Sequence, residues 1–117
     1  MDAFLDDTTK LLRRTPTVIR ALLEGLPQTW TETSDTAGGW RPRDVVGHLI
    51  SAELDDWMPR VRRILEQGTS AAFDPFDRFA HTERDRDATL DELIERFTSL
   101  RAESLAALAS TVAAVPD

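Results

Sequence analysis

The chain contains no cysteine. Disulfides, thiolate nucleophiles, iron–sulfur clusters and cysteine-ligated zinc are thereby excluded, which leaves His, Asp and Glu as the side chains able to hold a metal. Nothing in it calls for an oxidising compartment. Positive charge is also in short supply: 21 acidic residues against 14 basic ones give a net charge of -7. A field of that sign repels phosphate backbones, so nucleic acid is not an expected partner. No apolar run reaches the length of about 18 residues that a membrane span needs. The opening Met1-Asp2-Ala3-Phe4-Leu5-Asp6-Asp7 is acidic where a signal peptide would be basic and then apolar. The expectation is a soluble, cytoplasmic protein without a membrane partner. Strand signals are missing as well, since no alternating run is bounded by turn residues, and this makes the expected fold all-α.

What the chain does have is enough apolar material for one core. With 117 residues, 41% hydrophobic and 30% charged, it suits a single globular domain over residues 1–117 and is too short for two. Three segments carry helical periodicity. The first spans about residues 3–26, where Phe4, Leu5, Leu12, Ile19, Leu22, Leu23 and Leu26 fall on one side. Thr15-Pro16 interrupts it, giving either two helices or one kinked helix, and the kinked helix is preferred. Residues 27–40 have no period and read as a loop.

The second helix runs from Pro42, a good first helical residue, to about Gln67, with Gly68 as its stop and a bend at Pro59. Residues 69–88 read as a loop whose Phe73, Phe76 and Phe79 should pack on the bundle. Thr89-Leu90-Asp91-Glu92 reads as a capping box opening a third helix that ends near Val112.

Few residues carry chemistry. His48 lies on the flank of the second helix's apolar stripe, with Asp44, Ser51 and Asp55 within about 60° on its outer side. The second histidine, His81, sits in a charged stretch and reads as solvent-exposed, because a lone loop histidine has no positioned partners. Glu53 and Arg101 each fall inside an apolar stripe, so they are expected to pair as a structural ion pair between the second and third helices. The clusters Arg60-Val61-Arg62-Arg63 and Glu83-Arg84-Asp85-Arg86-Asp87 read as solvated faces. Gly38-Gly39 lacks the strand and spacing of a phosphate loop, and Ser51 lacks the elbow of a serine hydrolase.

Four stretches together resemble the DinB/YfiT-like superfamily of four-helix bundles. They are residues 15–27, the run Trp40-Arg41-Pro42-Arg43-Asp44-Val45-Val46-Gly47-His48-Leu49-Ile50, Ala52-Glu53 with Asp56-Trp57, and Phe97 to Leu108. The Trp-x-Pro-x-Asp-Val-x-Gly-His-Leu run is the most specific of them. The resemblance implies that His48 is one of three histidines binding a divalent metal (zinc, nickel or iron), the other two coming from a His-x-x-x-His pair on a fourth helix. It also implies activity as a metal-dependent transferase or isomerase using low-molecular-weight thiols. Here the sequence stops at Ala113-Ala114-Val115-Pro116-Asp117, where that fourth helix would begin. A truncated product, a fragment of a longer protein and a form that dispenses with the metal all fit. The expectation is therefore no stoichiometric metal on these residues alone. The alternative to an enzyme is a non-catalytic interaction module, and either way an apolar groove left by three helices favours a homodimer.

Overall fold

The computed structural model describes residues 2–70 and 72–115. Met1, Ala71 of the second long connection, and Pro116 and Asp117 of the C-terminal tail lie outside them. Helix α1 covers Asp2–Leu23 without a break, although Pro16 lies inside it. Pro16 has no N–H to give the carbonyl of Leu12 four residues back. That carbonyl receives a donor from elsewhere: Nη1 of Arg101 reaches it at 2.8 Å. The helix ends earlier than its apolar pattern suggested, because Gly25 takes a left-handed φ of 80°, a conformation that costs glycine little.

The expected loop at residues 27–40 holds one short helix, α2, at Gln28–Thr31. The second long helix then forms a rod over residues 42–67, in three pieces: α3 at Pro42–Ser51, a π turn at Ala52–Asp56 and α4 at Trp57–Gln67. Pro59 explains the middle piece. It cannot donate to the carbonyl of Asp55, and its ring would crowd that oxygen in a regular helix. The chain widens just upstream, where the N–H of Trp57 bonds the carbonyl of Ala52 five residues back. The expected bend at Pro59 is thus taken up before the proline rather than at it. Gly68, at φ 57°, ends the rod.

The 69–88 connection likewise contains a short helix, α5, at Ala80–Arg84. Helix α6, Leu90–Ala113, starts at Thr89, whose hydroxyl accepts the N–H of Glu92 at 3.1 Å. Glu92 bonds that hydroxyl rather than the backbone N–H of Thr89, so only half of the expected capping box forms.

Helix α6 packs against both α1 and α3. Val46 and Ile50 of α3 meet Leu93, Ile94 and Phe97 of α6 in the fully buried core, and Ile19 and Leu23 of α1 close it from the other side. The fold is an all-α bundle of three long helices, with no strand among the described residues. The apolar pattern of α1 divides in two. Leu12, Ile19 and Leu23 turn inward, whereas Phe4 and Leu22 are exposed at 70% and 63%, as are Leu11 and Val18, outside the expected stripe, at 66% and 52%.

Candidate functional site

The candidate site grows from the start of α3. Pro42 occupies the first turn, where its missing N–H costs nothing. Two residues later the Asp44 carboxylate accepts the backbone N–H of Arg41 at 2.8 Å and its guanidinium at 3.0 Å. Burial pushes the Asp44 carboxyl up, but the hydrogen bonds from Arg41 outweigh it and hold the group below its ordinary value.

One turn further on, Gly47 lets α5 come into contact. A Cβ there would lie 2.8 Å from Cβ of His81 and 2.9 Å from Oδ2 of Asp85, closer than real side chains approach. Glycine is required by this packing, not by any unusual backbone angle. Arg84 fastens α5 in place, donating to the Gly47 carbonyl and the Ser51 hydroxyl, both at 2.8 Å, while Asp85 holds the guanidinium at 2.7 Å. Arg43 makes a second fastening, to the carbonyls of Asp85 and Ala88 at 2.8 and 2.7 Å.

This docking buries His81, which is 3% exposed and so contradicts its expected position in solvent. The charged stretch around it also divides: Asp85 is buried and Arg84 partly so, while Glu83 and Arg86 pair with each other outside. Burial lowers the His81 pKa below its ordinary value, against the pull of Asp44 and Asp85, so the imidazole is neutral near pH 7. Its Nε2 lies 3.6 Å from Asp44 Oδ1, and its buried Nδ1 has no hydrogen-bond partner.

His48 is half-buried on the same side of α3. Trp40 stands between the two histidines, its ring centroid 4.9 Å from each. Phe76 presents an edge to His48 at 5.6 Å, and Arg78 lies over Trp40 and Phe79 at 5.7 and 5.3 Å. The aromatic connection therefore packs on the bundle only in part: Phe76 is half-buried, whereas Phe73 and Phe79, also expected to pack, are 43% and 57% exposed. His48 sits in a cup of rings, and its Nδ1 is buried without a partner.

The companions expected beside His48 are otherwise engaged. Asp44 is held by Arg41 and turned toward His81, Ser51 is fully buried under Arg84, and Asp55 is exposed within the π turn. Among the described residues, no three His, Cys, Asp or Glu side chains converge as a metal site would require. These three helices offer one free imidazole, which does not fit a tightly held metal by itself.

Glu53 and Arg101 come together on a different side. Arg101 Nε donates to Glu53 Oε1 at 2.7 Å, both side chains are buried, and the guanidinium lies 5.0 Å over the Phe97 ring. With its bond to the Leu12 carbonyl, Arg101 joins all three long helices. Sequence reasoning missed this last contact, although Pro16 announced a carbonyl in need of a donor. It missed the burial of His81 for lack of any local sign beyond the glycine at position 47.

Three long helices around one core, with a histidine in an aromatic cup on the second, define a helical bundle of the kind that builds sites between helices. Residues 11–116 match the DinB superfamily, and the chain belongs to it. Among solved structures, YfiT from Bacillus subtilis is similar in fold, with a TM-score of 0.75 at 24% sequence identity over 91% of this chain. That protein is described as a probable metal-dependent hydrolase with an unusual four-helix bundle topology, and this chain spans 61% of its length. No curated protein matches the sequence.

Proposed function

We propose that the chain is a single DinB-type helical domain, cytoplasmic, in which His48 is a metal ligand contributed to a site completed by donors outside its three long helices. The observation that supports this most directly is the buried, unpartnered Nδ1 of His48 in the cup formed by Trp40 and Phe76. A buried polar atom is rarely left without a partner, and a ligand is one partner that would satisfy it. The described metal dependence of YfiT and the resemblance of the Trp40–Ile50 run point the same way.

The reaction class carried by that resemblance is transfer or isomerisation with a low-molecular-weight thiol. A divalent metal in such a site supplies Lewis acidity, lowering the pKa of a thiol or water. The residues present act around it: Trp40 and Phe76 fix the imidazole plane and keep water from one face of it, and Arg84 with Gly47 holds α5 against α3.

The test is titration with cobalt, nickel and zinc, read by calorimetry and by the visible absorption of cobalt. The chain itself should bind these ions weakly and lose the binding in His48→Ala but not in Lys10→Ala. Extending it with a helix that carries a His-x-x-x-His pair should give one tight equivalent and thiol-dependent turnover. An unchanged affinity in His48→Ala would overturn the assignment.

A further inference from the structure

Arg78 borders the aromatic cup around His48. Its guanidinium carbon lies 5.7 Å from the Trp40 ring centroid and 5.3 Å from that of Phe79, and those two rings meet edge to face at 6.2 Å. A turn fixes it there. The Asp77 carboxylate accepts the N–H of Phe79 at 2.9 Å, and the Asp77 carbonyl accepts that of Ala80 at 3.3 Å. Arg78 is thus carried on a hydrogen-bonded turn with rings beneath its cation. Trp40 in turn packs on His48 at 4.9 Å. Two contacts in series join guanidinium to imidazole, a separation that one small molecule spans.

The charge of Arg78 is not compensated. It forms no ion pair among the described residues, and the acids of its own connection are engaged elsewhere: Asp74 with Arg63, Asp77 with the Phe79 N–H, Glu83 with Arg86 and Asp85 with Arg84. Asp44, beside His81, is held by Arg41. In a chain of net charge -7, whose field repels anions at long range, an uncompensated guanidinium fixed over these rings attracts them locally. Stacking leaves the N–H edges of the guanidinium free, and their planar fork matches a carboxylate through two parallel hydrogen bonds. A single cation over these rings balances the one charge of a carboxylate rather than the near-double charge of a phosphate.

We infer that Arg78 is a specificity-determining residue that binds the carboxylate of the small molecule whose other end reaches His48, so that the ligand class is an organic carboxylate. The inference rests on the reading of His48 as the centre of the site, but recognition of the carboxylate is measurable without it.

Propionate, a carboxylate without a thiol, probes Arg78 alone, and 3-mercaptopropionate adds a metal-binding thiol. In the metal-free chain propionate should shift the NMR signals of the Arg78 Nε–H and the Trp40 indole N–H saturably, and the Trp40 shift should be the same in His48→Ala. Binding read at Trp40 should weaken on the order of tenfold in Arg78→Gln and stay unchanged in Arg14→Gln, which removes an exposed charge on α1. Inorganic phosphate should bind no more tightly than propionate. With cobalt present, 3-mercaptopropionate should bind more tightly than either propionate or 2-mercaptoethanol, and its gain over propionate should vanish in His48→Ala. Absence of that gain, with the Arg78 dependence intact, would remove His48 from the site and leave the carboxylate recognition standing. Propionate binding that is equal in Arg78→Gln and the unsubstituted chain would overturn the inference. So would equal affinity for 3-mercaptopropionate in a chain extended by the fourth helix and in its Arg78→Gln variant, since the guanidinium would then be held by residues beyond Asp117.

Discussion

At the scale of single residues, Arg101 and Gly47 carry more than their share of the architecture. Arg101 is buried with its charge paired on one side only, so shortening it leaves Glu53 charged in an apolar core and the Leu12 carbonyl without a donor. Breaking a buried pair from one side typically costs about 3–5 kcal/mol. Arg101→Ala should lower the urea midpoint by a corresponding amount, and an unchanged midpoint would dispose of the argument.

Gly47→Ala should also destabilise, against the usual trend. Alanine in a helix interior normally gains about 1 kcal/mol over glycine, but here the new methyl meets His81 and Asp85, and overpacking of that kind costs about 1–3 kcal/mol. A net loss with α5 displaced, read from a change in the His81 ring signals as the ring leaves Trp40, is the expected outcome. A gain in stability would show that α5 gives way easily.

His81 gives the protein a pH dependence of known sign. Its folded pKa lies below its ordinary 6.5 because of burial, so in the window beneath 6.5 the unfolded chain binds the proton more readily. The stability contribution is complete above that value and is lost as the pH falls from there through the lower folded pKa. The groups facing the ring are Asp44 from α3, Asp85 and Arg84 from the end of α5, and His48. Urea midpoints measured at about pH 7.5 and about pH 5.5 should therefore fall with acidity, and fall less in His81→Asn. Equal falls in both proteins would place the dependence elsewhere.

At the scale of elements, the long helices were legible because their signals are local. Pro42, Gly68 and Thr89 mark ends that the structure keeps, and the cap at Thr89 should be worth about 1 kcal/mol in a Thr89→Ala variant measured by thermal unfolding. What could not be read were features decided by partners distant in sequence. α5 has five residues and no cap from its own side chains. It forms because Arg84 finds Gly47 and Ser51 more than 30 residues away. The π turn similarly depends on where the rod relieves its clash at Pro59, and the sequence names the proline without saying which turn will widen. The stripe read on α1 joined Phe4 and Leu22, which face solvent, to Leu12, Ile19 and Leu23, which turn inward, and passed over the exposed Leu11 and Val18, because periodicity alone does not say which side of the helix meets α6. In the candidate site, the Trp40–Ile50 run that carries His48 was legible as one continuous motif, whereas the packing of Trp40 and Phe76 on His48 and the approach of His81 were not.

At the scale of the whole molecule, the described chain is long and narrow, 52 by 28 by 21 Å, and its fully buried core occupies the end where α3 and the first half of α6 meet. Toward the other end Ile64, Leu65, Val112 and Val115 remain between 37% and 52% exposed. Arg101 sits between these regions, and its bond to Leu12 has a kinetic consequence. A helix with a proline in its interior would ordinarily open there first, exchanging its amide hydrogens on either side independently. In this chain the open carbonyl is held by a guanidinium that is itself held by the second helix, so α1 cannot open near Leu12 without exposing the charge pair. Amide hydrogens around Leu12 should consequently exchange at the rate of those near Phe97 on α6, and in Arg101→Met the α1 amides should exchange ahead of α6.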